Sequence, residues 1–312
     1  MKTHQHICLA SSLCFLICAA SAAPTEVPPN AATPEEPVVS EEYYKNIYKR
    51  LLGRSAYTDI HELEEGPLDL DFSPIWMVRQ LNFGQQWPSN QQIREPLGYI
   101  GDHFQRLQIR FTSIAQRESD PTVYDVAGKT RVKGHICDFK GTLTLKYVRL
   151  AKVPIRYERT EQDQEALYNG TPVRPGVVVG EYKLVEDPAQ LRSGILTGMF
   201  ATNFVMTDHK DVWYATADFQ SDHYRNNQFE GIWTSHRYGM IKVCNWGNHR
   251  IPNSEGLDIG AGEFSPSDRA LPYGWQTYRN AYYVSTGEDS KTALQKEEEA
   301  WWEDEVADEG PR

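Results

Sequence analysis

The sequence has very little continuous hydrophobic character. Among its 312 residues, the only continuous apolar run extends from Ile7 to Ala23, at the start of the chain. A bundle of membrane-spanning helices needs several runs of about 20 apolar residues, so the sequence excludes that class of protein. The composition, with 40% hydrophobic and 24% charged residues, is that of a folded globular chain.

The body of the chain also lacks an excess of either charge. The formal net charge is −11, but residues 23–42 contain five glutamates and no base, and residues 287–312 contain ten acids and three bases. Residues 43–286 contain 28 acids and 28 bases. Proteins that bind nucleic acids need clustered lysines and arginines to neutralise phosphates, and no such cluster is evident. Nucleic acid is therefore not an expected partner.

Common catalytic signatures are absent from the sequence. It contains no Gly-x-Ser-x-Gly elbow, no glycine-rich phosphate loop ending in Lys-Ser or Lys-Thr, and no Cys-x-x-Cys pair. These patterns mark serine hydrolases, nucleotide-binding enzymes and redox enzymes respectively. Their absence favours a non-enzymatic protein without excluding an unfamiliar enzyme.

Residues 1–22 predict a secretory signal peptide. Lys2 precedes the apolar run, and Ala20-Ser21-Ala22 has the small residues of a cleavage site. A membrane anchor is a weaker alternative because the run is short for a bilayer. Lipidation at Cys18 is a further alternative, although no small residue precedes that cysteine. We expect an exported protein that is periplasmic, secreted or surface-associated, with no transmembrane segment in the mature chain.

The remainder divides into four predicted segments. Five prolines in residues 23–40 favour an extended linker. Residues 41–65 predict a short helical segment that Ser40 can cap. Residues 66–286 form a β domain, and residues 287–312 form an acidic tail. The tail also contains two adjacent tryptophans, Trp301 and Trp302, which allow two interpretations. The tail is solvated, or it docks on a partner or on the body.

Alternating apolar and polar residues dominate the body from about Phe104 onward. Clear examples of the alternating positions are Leu107, Ile109, Phe111, Leu143, Leu145 and Tyr147. Further candidate strands are Thr122–Ala127, Val177–Val185, Ile195–Phe204, Val212–Phe219, Gln228–His236 and Met240–Trp246. Short connections rich in Gly, Asp and Asn join neighbours as hairpins. The predicted fold is mainly β, an antiparallel meander forming a barrel or sandwich, with a short N-terminal helix and an acidic C-terminal tail.

Four candidate strands carry a glycine between two large residues of the same face. The central glycines are Gly141, Gly180, Gly198 and Gly231. A glycine in that position lets an aromatic side chain from the next strand lie across it, or lets the sheet bend. These glycines are therefore expected to shape the sheet.

Two local resemblances follow from these motifs. The fragment Asn227–Trp233 resembles the aromatic-x-Gly-x-Trp hairpin of MORN repeats, and its Gly-x-Trp resembles lipocalin and avidin barrels. The glycines are spaced unevenly, unlike those of a MORN array. The longer run Val177–Trp275 resembles exported bacterial proteins of no assigned activity, which implies export and a bacterial source but no chemistry.

Cysteine is scarce in the predicted mature chain, which keeps only Cys137 and Cys244. An oxidising compartment permits one disulfide between them, and unpaired buried thiols are the alternative. A weaker alternative is a zinc site formed by these two cysteines with His135 and His249.

The segment from Trp246 to Trp275 is the least strand-like part of the body. Asp258 and Glu263 could act as acid and base in glycoside cleavage, or could bind calcium through their oxygens. Loop carboxylates that only cap turns are the simpler alternative. No cofactor is required by the sequence.

Aromatic residues surround this glycine-rich loop. Trp246, Tyr273, Trp275 and Tyr278 are candidates for a shallow ligand-binding surface, although packing of a sheet protein also explains them. We therefore expect an exported non-enzymatic β protein that binds a protein, glycan or small-ligand partner at the cell envelope. The alternative is an envelope- or glycan-directed hydrolase that uses Asp258 and Glu263, and a purely structural role is a third possibility.

Overall fold

Alternating sequence patterns produce long strands in this chain. The computed structural model describes residues 62–77, 95–156, 170–216, 224–284 and 288–303. The predicted signal peptide, the predicted linker and most of the predicted helical segment 41–65 lie outside these ranges. Within that segment, the described residues Leu63–Glu65 form a short strand.

Ten strands make up most of the described chain. They are β1 (Leu63–Glu65), β2 (Leu97–Ile100), β3 (Gln105–Arg117), β4 (Asp120–Val132), β5 (His135–Ala151), β6 (Val173–Glu186), β7 (Gly194–Thr207), β8 (Val212–Tyr214), β9 (Asn226–Ser235) and β10 (Ile241–Asn248). The mainly β prediction is confirmed. The strand predicted at Val212–Phe219 ends at Tyr214, and its last three residues lie outside the described ranges.

All ten strands belong to one antiparallel sheet whose pairings run in a ring. The order is β1-β5-β4-β3-β2-β10-β9-β7-β6, and β6 also pairs with β5. Eight strands therefore complete the ring, while β1 and β8 add to β5 and β7 as extra strands. Most neighbours are hairpin partners, as the meander prediction required. The pairing of β2 with β10 joins distant parts of the sequence.

The main hydrophobic core lies on the inner face of this ring. Leu107 and Ile109 of β3 and Leu143 and Leu145 of β5 are all at most 3% exposed. The pairing of β5 with β6 shifts register between Leu145 and Tyr147. A bulge inserts one residue and so exchanges the two faces of a strand. Val148 and Leu150 are consequently buried in the core, while Tyr147 is not.

Glycines permit close approach between strands, as the sequence predicted. Gly198 of β7 lies opposite Gly231 of β9. A Cβ at Gly231 would lie 2.5 Å from the Tyr182 hydroxyl and 2.8 Å from the Gly198 Cα. Because such distances are too short for any Cβ, the Tyr182 side chain can cross this strand pair only while both positions are glycine.

A short N-terminal segment enters the ring. The turn begins with Asp71, whose carboxylate accepts a hydrogen bond from the Ser73 N–H at 2.9 Å, and continues as helix α1 (Ser73–Trp76). Phe72 and Ile75 are fully buried and Trp76 is 7% exposed. The Phe72 N–H donates to the Tyr124 hydroxyl at 3.0 Å. The segment thus fills part of the ring interior.

The C-terminal residues pack against the outside of the sheet. They include a 3-10 helix (Asp268–Tyr273), α2 (Gln276–Tyr283) and α3 (Glu288–Glu297). A second hydrophobic cluster joins them to the outer face of β2; its buried members are Leu97, Tyr99, Ile251, Leu257, Phe264, Ala270, Trp275 and Tyr278. Among the described residues, none of the helices has the length and hydropathy that crossing a bilayer would need.

The described part of the acidic tail is docked. The Glu297 carboxylate pairs with both terminal nitrogens of Arg106, and the two side chains are 6% and 13% exposed. Trp301 is 6% exposed, with the Arg131 guanidinium 4.9 Å from its ring centre. Up to Glu303, these contacts favour the docked reading of the tail over the solvated one.

Candidate functional site

A cleft opens in the side of the ring because β2 is short. β2 pairs with β3 only from Gln105 to Leu107. Past that point, the edge of β3 that faces β10 has no partner strand among the described residues. The lining residues, which define the side cleft, are Trp76, Met77, Pro96, Ile109, Arg110, Phe111, Asn227, Phe229, Trp246 and Asn248.

Aromatic rings form one wall of the side cleft. Phe229 and Trp246 stack with their centres 4.8 Å apart and their planes 11° apart. Phe111 lies 6.2 Å from Phe229 in a tilted arrangement. Trp76 reaches the same space from α1 and packs edge-on against Tyr124 at 5.0 Å. The space between these rings has a volume of about 40 Å³, and Phe229 and Trp246 are at most 2% exposed, so the cleft has room for a short alkyl chain and not for a ring system.

Polar groups at the inner end of the cleft are held in fixed orientations. The Asn227 side-chain oxygen accepts a hydrogen bond from the Thr202 hydroxyl at 2.9 Å, and its amide nitrogen donates to the Ile75 carbonyl at 3.0 Å. Asn227 has a φ of 47°, a left-handed conformation that asparagine tolerates better than most residues. Asn248, which is 5% exposed, provides a second amide.

A guanidinium group stands at the mouth of the cleft. Arg110 forms an ion pair with Glu95, and the two side chains are 13% and 20% exposed. The Arg110 guanidinium also lies 4.4 Å from the centre of the Trp302 ring. The Arg110 charge at the mouth is therefore balanced by the Glu95 carboxylate, and Trp302 of the C-terminal segment reaches the same place.

The predicted aromatic binding surface is not assembled as expected. Trp246 lines the side cleft, but Trp275 and Tyr278 are buried in the outer cluster. The Trp275 indole N–H donates to the Phe104 carbonyl at 2.7 Å. Tyr273 stacks on His103 at 5.3 Å. Trp246 is separated from Trp275 and Tyr278 because the ring wall lies between the inner core and the outer cluster.

The candidate catalytic carboxylates have different environments. Asp258 accepts hydrogen bonds from Arg250 at 2.5 Å and from the backbone N–H groups of Gly260 and Ser265, and its side chain is 7% exposed. Glu263 is exposed. Asp258 therefore organises its own loop, as the turn-capping alternative predicted, and the described contacts engage it with a guanidinium rather than with a second carboxylate.

The candidate cysteine and metal residues are also separate. Cys137 and Cys244 are buried free thiols, so the structure does not contain the disulfide that the sequence permitted. Burial raises the pKa of Cys137 to about 12, with the Glu186 carboxylate acting in the same direction. Within the described ranges, no three His, Cys, Asp or Glu side chains are grouped as a metal site would require. The set His135, Cys137, Cys244 and His249 is thus not brought together as a metal site.

One buried carboxylate was missed by the sequence reasoning. Glu186 is 4% exposed at the inner face of the ring. Its oxygens accept hydrogen bonds from the Thr130 hydroxyl at 2.5 Å, the Gly194 N–H at 2.7 Å and the Trp233 indole at 2.9 Å. The only sequence signal was its position. Glu186 follows Tyr182 and Leu184 at a spacing of two residues, on the face of β6 that points into the ring.

Comparisons with known proteins add no chemistry to this geometry. No family model, curated protein or solved structure matches the chain. The likeness to MORN hairpins and to lipocalin or avidin barrels therefore remains an expectation from a few residues, and the site has to be interpreted from its own side chains.

Proposed function

We propose that this chain is an exported, non-enzymatic β protein of the cell envelope that binds a small ligand in the side cleft. In this proposal the ring of strands is a barrel, and the cleft is an opening in its wall. The ligand has a short alkyl chain, which suits a cavity of about 40 Å³, and one acidic group. The observation that carries the proposal is a guanidinium at the mouth of an aromatic wall.

The residues of the side cleft support each part of that ligand description. Phe111, Phe229 and Trp246 provide apolar surface without exposing it broadly to water. Arg110 can exchange its Glu95 partner for an acidic group of a ligand, since both carboxylates satisfy the same donors. Asn227 is held by Thr202 and Ile75, so little side-chain entropy is lost when a ligand contacts it.

The hydrolase alternative has no comparable support. It requires two carboxylates that face a common space at a defined separation. Asp258 is engaged by Arg250 and Glu263 is exposed. No specific observation favours turnover over binding.

The proposal can be tested with two small ligands that share an alkyl chain. Butyrate carries an acidic group, and butanol does not. Isothermal titration calorimetry measures the binding of both. We expect the wild-type chain to bind butyrate more tightly than butanol.

Arg110→Gln provides the decisive variant, and Arg117→Gln provides its matched control. Both arginines belong to β3 and both pair with a carboxylate, but Arg117 lies outside the side cleft and pairs with Asp125 at the surface. We expect Arg110→Gln to weaken butyrate binding about tenfold, the loss of one charge-assisted contact, and to leave butanol binding unchanged. Equal effects of the two variants, or no saturable binding of either ligand, would show that the proposal is wrong.

A further inference from the structure

Four turns lie together at one end of the ring. They join β2 to β3, β4 to β5, β6 to β7 and β9 to β10. The His236 backbone N–H donates to the Ser193 carbonyl at 3.1 Å, and the Asp138 backbone N–H donates to the Gln190 side-chain oxygen at 2.8 Å. The β6–β7 turn thus links its two neighbours into one rigid surface. Asn227 of the side cleft is at the other end of β9, so the length of that strand lies between the side cleft and this surface.

Large apolar side chains project from these turns into solvent. Leu191 is 66% exposed, Tyr238 is 73% exposed and Met240 is 45% exposed. The apolar surface continues up the outer face of β10 through Ile241 and Val243, at 62% and 44%. We define Leu191, Tyr238, Met240, Ile241 and Val243 as the apolar tip.

Basic residues accompany the apolar tip. Arg192 follows Leu191 and Arg237 precedes Tyr238 in sequence, and Lys133 occupies the adjoining β4–β5 turn; all three are exposed. The Arg237 guanidinium lies 5.5 Å from the centre of the Tyr238 ring. Tyrosine beside arginine or lysine is the composition that anchors proteins at the boundary between lipid headgroups and acyl chains.

Three exposed acidic residues lie at the same end, Asp102 in the β2–β3 turn, Asp138 and Asp187. Asp138 accepts a hydrogen bond from Gln190 at 3.0 Å and lies 3.7 Å from the Lys129 ammonium group. The Asp187 carboxylate accepts from the Ala189 N–H at 2.9 Å. The charges adjacent in sequence to Leu191 and Tyr238 are positive, and two of the three acids are engaged by the protein itself.

We propose that the apolar tip docks on an anionic lipid surface. Leu191, Tyr238 and Met240 enter the interface, and Arg192, Arg237 and Lys133 contact lipid phosphates. This inference does not depend on the side cleft or its ligand.

Vesicle flotation of the full chain tests the docking. The probes are vesicles of phosphatidylcholine alone and of phosphatidylcholine with phosphatidylglycerol. Because every protein compared carries the same N-terminal residues, any binding by those residues is common to all of them. We expect tighter binding to the anionic vesicles, weakening as salt is raised.

Two sets of variants locate the contact. Leu191→Ser with Tyr238→Ser and Met240→Ser removes the apolar contribution, and we expect at least a tenfold loss of binding to anionic vesicles. Val153→Ser with Ile259→Ser is the matched control, since these side chains are 71% and 62% exposed elsewhere on the surface.

Arg192→Gln and Arg237→Gln should each weaken binding to anionic vesicles about fivefold, the usual effect of one base near an anionic surface. Melting temperatures of all variants should stay near that of the wild type.

Two results would overturn the proposal. The first is binding by the triple variant equal to that of the wild type and of the control pair. The second is a result in which the wild-type chain self-associates in sedimentation experiments and the triple variant does not, although the triple variant still binds vesicles. That outcome would assign the apolar tip to contact with a second copy of the chain.

Discussion

The Thr202 hydroxyl accepts a hydrogen bond from the Trp76 indole nitrogen at 3.1 Å, across 126 residues of sequence. The same hydroxyl donates to the Asn227 side-chain oxygen at 2.9 Å. Asn227 in turn donates to the Ile75 carbonyl at 3.0 Å. This chain of three bonds ties the inserted helix α1 to two strands of the ring and orients the amide at the inner end of the side cleft.

Thr202→Val should therefore destabilise the fold, although it preserves the shape of the side chain. The change leaves the buried Trp76 N–H and the Asn227 oxygen without this partner, at a cost of about 1–3 kcal/mol. Urea unfolding measures the difference. Thr197→Val is the matched control in the same strand, because Thr197 is only partly buried, and it should change stability by less than about 0.5 kcal/mol. Equal values for the two variants would contradict the role given to the hydroxyl.

Trp301→Ala tests whether the tail is docked in solution. Trp301 is 6% exposed and lies beneath the Arg131 guanidinium, so we expect a loss of about 3 kcal/mol, the lower range for a buried tryptophan. Trp302→Ala should cost less, because Trp302 is only partly buried. Guanidinium unfolding of both variants provides the comparison. A wild-type midpoint for Trp301→Ala would mean that the tail is solvated.

Stability should fall in alkaline solution. Burial raises the pKa of Cys137 from 9.0 to about 12 and that of Tyr99 from 10.0 to about 12. Burial also raises the pKa of Cys244. The unfolded chain therefore loses these protons first, and the stabilisation is complete below pH 9 and is lost as the pH rises toward 12.

Unfolding free energies measured between pH 8 and pH 11 would show this decline, in a range set by those pKa values. Cys137→Ala removes one contributor, so its alkaline slope should be shallower than that of the wild type. A thiol reagent should react with the native protein far more slowly than with the unfolded chain, since only the thiolate is nucleophilic. Rapid native reaction would place the thiols in solvent.

The sequence predicted the strands better than the side cleft, for physical reasons. Alternation over two residues located most strands of the ring, and the phase was lost at bulges such as those after Phe111 in β3 and after Leu145 in β5, which no local pattern marks. Strand β2 is four residues long and fully buried, so it has no alternation to detect. The cleft depends on that short strand and on the return of α1 into the ring. Trp246 was the one predicted binding residue that reached it.

Asp258 and Glu263 separate a structural role from a catalytic one. Asp258→Asn should destabilise the protein by about 2 kcal/mol, because the Arg250 guanidinium is 12% exposed and would lose its charged partner. Glu263→Gln should leave stability within about 0.5 kcal/mol of the wild type, since the side chain is exposed. Thermal unfolding of the two single variants measures both effects. A neutral Asp258→Asn variant would contradict the structural assignment and reopen the catalytic one.

Glu186→Gln tests whether the buried carboxylate holds the far end of the ring together. The carboxylate accepts three hydrogen bonds, from Thr130, Gly194 and Trp233. A glutamine oxygen can keep the bonds from Gly194 and Trp233, and the Thr130 hydroxyl must then accept from the amide N–H instead of donating. All three bonds lose the charge that strengthens them. We expect a cost of about 1–3 kcal/mol. Glu181→Gln is the matched control in β6, where the ion pair with Lys146 is about one-third exposed, and it should cost less than about 1 kcal/mol. If urea unfolding gives the two variants the same stability, the hydrogen bonds to Glu186 contribute no more than a surface ion pair, and the end of the ring must be held by its apolar contacts instead.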